Sequence, residues 1–178
     1  MKRKYLALIV CMVFLCAVCA SAEGLIGSWA YIHAPEDAAF ILKEDGSAIL
    51  DGKAFDYEIE DDCFVMTDGD GTVQRMRYVM DGDQMLLYKK AQYTFQGGNA
   101  PESLIGVWKD AATGWSYQFT EKGTFLEDGY FPGYYTVNES EKSFRLAYVD
   151  QFEDTVCYYE IAGKTLTVDY PWAMVRAK

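Results

Sequence analysis

The densest chemistry in this 178-residue sequence is aromatic. The stretches TGWSYQF and DGYFPGYY crowd Trp115, Tyr117, Tyr130, Phe131, Tyr134 and Tyr135 into one short span of chain. Rings of this kind stack on sugar faces, peptides and apolar ligands. In a β-strand, successive side chains point to opposite faces, so the neighbours Tyr130 and Phe131, and Tyr134 and Tyr135, cannot all enter one core. Some of these rings must be exposed, line a cavity or cover a contact between segments. The plainer outcome is packing between segments; a binding site, where one exists, is expected to use Trp115, Tyr117, Tyr130, Phe131 and Tyr134.

Other chemistry is thinner. A nucleophile–His–acid triad would have to recruit His33, the one histidine, with Glu36 and Asp37 beside it. No nucleophile elbow accompanies it, so His33 reads as a polar surface residue. One histidine and scattered cysteines give no zinc-ligand spacing. TDGDGT, Thr67 to Thr72, resembles a fragment of a calcium loop, but lacks the further spaced oxygens and the closing Glu. It reads better as a hairpin turn. Carboxylates are plentiful (Glu58, Glu60, Asp61, Asp62, Glu139, Glu141, Glu153, Asp154), yet no pair is marked as facing across a cleft, as glycoside hydrolysis requires. The expectation is a non-enzymatic protein with no metal and no cofactor.

The N-terminus reads as an export signal. Lys2, Arg3 and Lys4 precede an apolar run from Leu6 to Cys19, and Ala20-Ser21-Ala22 supplies small residues for cleavage after Ala22. The run is short for a membrane span. Cys11, Cys16 and Cys19 sit in or beside it, but the residues before them do not follow the Leu-small-small pattern of a lipid-anchored protein, so free secretion is favoured over lipid anchoring. Loss of residues 1–22 leaves 13 Lys and Arg against 27 Asp and Glu, a formal charge of −14. Such a chain is repelled by nucleic acid and by anionic membranes, and no membrane insertion is expected after cleavage. Cys63 and Cys157 remain; they are expected as separate buried thiols, with a bond tying one half of the chain to the other as the alternative.

The elements that must position these residues are strands. In KAFDYEIE, Phe55, Tyr57 and Ile59 alternate with Asp56, Glu58 and Glu60; in SFRLAY, Phe144, Leu146 and Tyr148 do the same. Period two means one buried and one wet face. Turn signals recur at Asp45-Gly46, Asp51-Gly52, Asp68-Gly69, Asp81-Gly82, Lys122-Gly123, Asp128-Gly129 and Ala162-Gly163, and Asp-Gly suits tight hairpins. Phe131-Pro132-Gly133-Tyr134 suits a type II turn, and HAPEDAAF, His33 to Phe40, has room for one helical turn. The pattern is all-β, antiparallel and hairpin-connected, a barrel or sandwich.

It also repeats. LIGSW (Leu25–Trp29) returns as LIGVW (Leu104–Trp108), FILKEDGSAILDG as YQFTEKGTFLEDG, and RYVMDGDQMLLY as YYEIAGKTLTVDY. The chain therefore reads as tandem copies over 23–98 and 99–178, joined at GGNAPES, Gly97 to Ser103. A single copy has a marginal core, so the copies either pack together or jointly close one barrel.

The Gly-x-Trp opening strand followed by hairpins resembles the lipocalin-like, calycin-type β-barrel domains of exported bacterial proteins, once per copy. The resemblance implies that Gly27 and Trp29, and Gly106 and Trp108, start a small barrel. It also implies that a basic residue on the last strand covers the Trp; Arg176 matches that role for the second copy, whereas AQYTFQ offers no Arg to the first. Its functional implication is a small apolar ligand. The expectation is a secreted binding module, with an envelope or extracellular protein-interaction domain as the alternative.

Overall fold

The computed structural model describes residues 24–149 and 153–178, all in strands, turns and loops. The expected leader lies outside these residues. Fourteen antiparallel strands form: β1 (Gly27–Tyr31), β2 (Ala38–Leu42), β3 (Ser47–Leu50), β4 (Lys53–Glu60), β5 (Cys63–Asp68), β6 (Val73–Asp81), β7 (Gln84–Phe95), β8 (Gly106–Lys109), β9 (Ser116–Phe119), β10 (Thr124–Glu127), β11 (Phe131–Asn138), β12 (Ser143–Tyr148), β13 (Thr155–Ala162) and β14 (Thr165–Arg176). The pairing order is cyclic, each strand bonding its chain neighbours, with β1 against β14 closing the ring and β7 also paired to β14. The order therefore contains two closed cycles of eight strands that share β7 and β14.

Two compact units result. The first takes the described residues up to Leu86 together with Ala173–Lys178; the second takes Leu87–Trp172. The chain passes between them inside its two longest strands, of 12 residues each, rather than at Gly97–Ser103.

The expected alternation holds. In β4, Phe55 is buried while Asp56, Glu58 and Glu60 are exposed; in β12, Phe144 and Leu146 are buried and Arg145 is exposed. Asp51-Gly52 and Asp128-Gly129 form the β3–β4 and β10–β11 hairpins with φ of 48° and 81°, and 47° and 74°, the left-handed pair that a type I′ turn requires. Each unit has an aromatic core: Trp29, Phe40 and Phe64 in the first, Trp108, Phe119 and Phe144 in the second.

Two local expectations fail. His33 to Phe40 holds no helical turn: two successive turns bridge β1 and β2, with Ala34 N donating to Tyr31 O at 2.8 Å and Asp37 N to Ala34 O at 3.1 Å. Pro132-Gly133 is not a turn but the start of β11, because Asp128-Gly129 has already reversed the chain. Gly133 is needed for closeness instead, since a Cβ there would lie 2.4 Å from the Phe125 ring and 2.5 Å from Ala147 O.

Thr67–Thr72 is the hairpin expected of it. Asp68 Oδ1 accepts from Asp70 N (3.1 Å) and Thr72 N (2.9 Å), and Asp68 Oδ2 takes Lys53 Nζ at 2.6 Å. Asp45 caps its own turn through Ser47, and Asp110 through Thr113 and Ala112. Lys53 and the turn amides hold the Asp68 carboxyl below its usual 3.8; Ser47 does so for Asp45, and the Thr113 and Ala112 amides for Asp110. A folded pKa lower than the unfolded one gives stability that is complete above the unfolded value and lost as pH falls through the folded one. Thermal scans should therefore show a level melting midpoint above about pH 5 and a decline below about pH 4, with Asp68→Asn blunting the decline. A midpoint that Asp68→Asn leaves with the same acid slope would assign the loss to other carboxylates.

Candidate functional site

Both Gly-x-Trp strands use their residues in the same way. Trp29 and Trp108 are fully buried. Each indole Nε1–H donates at 2.7 Å to the carbonyl four residues earlier, Leu25 O and Leu104 O. Gly27 and Gly106 have φ of 125° and 124°, which disfavours any side chain.

The glycines make room for what covers each Trp. Arg176 lies over the Trp29 ring, 4.0 Å from its centroid, and donates to Ile26 O at 2.7 Å and to Gly24 O. A Cβ on Gly27 would stand 2.7 Å from the Arg176 guanidinium. Arg176 thus serves the first Trp, not the second as expected, because the end of β14 pairs with β1 (Trp29 opposite Arg176). Trp108 is covered by Phe95 from the end of β7, with ring centroids 5.1 Å apart, and a Cβ on Gly106 would stand 2.3 Å from that ring. The AQYTFQ stretch, which lacks an Arg, therefore covers the second Trp with an aromatic ring.

The units differ in what the next hairpin buries. In the first, Phe40 faces Leu50 across β2 and β3. In the second, the same hairpin places Tyr117 opposite Glu127 across β9 and β10. Glu127 is only 8 % exposed. Its Oε1 accepts from Tyr117 Oη and from Trp115 Nε1, both at 2.8 Å, and its Oε2 accepts from Tyr148 Oη at the end of β12. Three donors on one carboxylate satisfy a group whose burial would otherwise be costly. The contrast extends to β13, where buried Cys157 lies opposite Phe144; the first unit has buried Met76 opposite Phe64.

This cluster floors a cavity of about 490 Å³ in the second unit. Tyr93, Tyr117 and Glu127 are its buried lining; Trp115, Trp172 and Lys90 are exposed at its mouth. Tyr93 and Tyr117 meet edge to face at 5.3 Å, and Lys89 Nζ lies 5.4 Å from the centre of the Trp172 ring.

Burial first, and then the negative charge of Glu127, push the Tyr117 and Tyr93 phenols well above their usual 10. Burial and the hydrogen bond to Glu127 do the same for Tyr148. All three are neutral donors at any physiological pH. Burial likewise raises the Cys157 thiol, with Glu127 adding to it, so Cys157 is a packing residue and not a nucleophile. Cys63 and Cys157 are both free thiols.

Of the residues expected in a site, Trp115 and Tyr117 line the cavity, and Phe131 stacks behind Trp115 at 6.4 Å and 23°. Tyr130 and Tyr134 are 79 % and 62 % exposed and point to solvent, while Tyr135 turns inward against Phe119 at 4.9 Å. Sequence reasoning missed Glu127, Tyr93, Tyr148, Tyr170 and Trp172. One signal was present for Glu127: aligning TFLEDG with SAILDG sets it at the core-facing position that Leu50 occupies. Among the described residues no group of three or more His, Cys, Asp or Glu side chains is placed to hold a metal ion. No known family model, curated protein or solved structure matches this chain.

Proposed function

We propose that the chain is an exported, non-enzymatic binding protein built from two lipocalin-like β-units, of which the second carries a pocket for a small ligand with an apolar or aromatic body. The observation that carries this reading is the Glu127 floor. A domain that needs only a folded core is served by Phe40 and Leu50, as the first unit is. The second unit instead buries a carboxylate under three donors beside a cavity lined by rings. Apolar residues of similar volume commonly serve stability as well as such a buried charged network, so its presence favours a functional role over a folding one. The leader-like start of the sequence supports export, and the paired Gly-x-Trp geometry supports the lipocalin-like duplication.

Native mass spectrometry of the protein purified from its own host tests this. A co-purified small-molecule mass is expected on the wild type and not on Glu127→Leu/Tyr117→Phe, which copies the first unit. Wild-type protein without bound mass, with Trp fluorescence indifferent to a panel of aromatic probes, would overturn it. The second reading, protein contact through the outer face, rests on the exposed rings of Tyr130 and Tyr134. It would then be the one to pursue, with Tyr130→Ala/Tyr134→Ala as its test.

A further inference from the structure

Resting on that reading, we propose that the second unit's pocket selects organic cations: small molecules with a protonated amine on an aromatic or apolar body. Three observations of different kinds converge on this chemistry.

The first is the sign of the buried charge. Glu127 is the least exposed charged residue in the lining; Lys89, Lys90 and Asp110 stand nearer solvent. A carboxylate offers about four acceptor positions, and the donors of Trp115, Tyr117 and Tyr148 use three. Oε2, with one donor, has room to accept another, and an ammonium N–H makes the strongest such bond.

The second is the wall. Tyr93, Trp115, Tyr117, Tyr170 and Trp172 give the cavity five aromatic rings. Ring faces carry negative potential and attract ammonium groups, most strongly where water is displaced. The mouth already displays this affinity, because the ammonium of Lys89 sits over the Trp172 ring. The tyrosines keep their protons and meet a ligand as neutral rings, so its apolar part finds apolar ring surface.

The third is the unit without the feature. Phe40 and Leu50 at the corresponding hairpin positions show that the fold closes with no charge there. The polar floor is therefore an addition to the architecture and not a requirement of it. The chain's 27 acidic against 16 basic residues would also draw cations toward the protein at low ionic strength.

The test uses matched probes with the full mature protein: phenethylammonium, 3-phenylpropanoate and neutral 2-phenylethanol, followed by Trp fluorescence and calorimetry. Phenethylammonium should bind tighter than 3-phenylpropanoate by about tenfold or more. Glu127→Gln, which preserves the size of the side chain, should remove most of that preference while 2-phenylethanol affinity changes little. Glu127→Leu/Tyr117→Phe/Tyr148→Phe, which removes the carboxylate together with both phenol donors, is the second variant should Glu127→Gln fold poorly, and it should show the same loss. Equal or tighter binding of 3-phenylpropanoate, or a preference that survives both variants, would overturn the cation assignment and leave the pocket reading standing. Failure of all three probes, together with no co-purified mass from the host, would overturn both.

Discussion

Deletion of Ala173–Lys178 should unfold the first unit while the second stays folded. Those six residues complete a unit that otherwise ends at Leu86. Among the described residues they bring the partner of the outer edge of β1, placing Arg176, Val175 and Met174 opposite Trp29, Ala30 and Tyr31. Met174 is fully buried, and its loss alone costs about 2–5 kcal/mol on the scale of large core truncations. The β1–β14 hydrogen bonds and the Arg176 bonds to Gly24 O and Ile26 O add about 1 kcal/mol each. The sum approaches the whole stability of a typical domain, about 5–15 kcal/mol. Hydrogen exchange read by mass spectrometry should show β1–β3 amides losing protection while β9–β12 amides keep theirs. The milder Arg176→Ala keeps the strand pairing and should cost about 1–3 kcal/mol in urea denaturation. Protection of β1–β3 unchanged by the deletion would mean that the first unit closes without β14.

The second large effect concerns Glu127. Glu127→Ala should destabilise the second unit by about 3–5 kcal/mol, since it opens a void and takes the acceptor from the buried Tyr117 phenol and from the part-buried bonds of Trp115 and Tyr148. Glu127→Leu fills the space but leaves the buried Tyr117 phenol without its acceptor, and should cost about 2–3 kcal/mol. Removing the acceptor with both phenol donors reverses the trend: Glu127→Leu/Tyr117→Phe/Tyr148→Phe leaves the N–H of the exposed Trp115 to water and should return to within about 1 kcal/mol of wild type or exceed it. Denaturant midpoints at constant slope are the measurement. A triple variant no more stable than Glu127→Leu would mean that the hydrogen bonds are not the source of the loss.

The fold was legible because strands announce themselves by alternation and turns by Asp-Gly. Phe55-Tyr57-Ile59 and Asp128-Gly129 behave as their sequence demands. What was not legible depended on contacts between distant parts of the chain. Pro132-Gly133 has the composition of a turn, yet the close approach of Phe125 and Ala147 explains the glycine, and neither is adjacent in sequence. Arg176 and Trp29 are far apart in sequence, and nothing near either one shows that β14 is long enough to join them.

The site was half legible for the same reason. Aromatic crowding exposed Trp115 and Tyr117, which are local to one hairpin. Tyr93 and Tyr170 reach the cavity from β7 and β14, and Tyr148 reaches Glu127 from β12; single tyrosines on strands carry no mark of where they converge. Glu127 was concealed among many acids, although it sits on the face where its strand should be apolar.

The closing of the first unit by residues 173–178 also sets a clock. Ribosomes deliver β1 through β6 first, but Gly24 and Ile26 wait for a partner that lies 152 and 150 positions downstream. During synthesis the β1 edge and the Trp29 ring stand uncovered, with the sticking hazard that open strand edges carry. Contacts this remote slow folding, so the second unit, whose partners are nearer in sequence, is expected to fold first. A nascent chain of this design keeps its first unit open until residues 173–178 have been made.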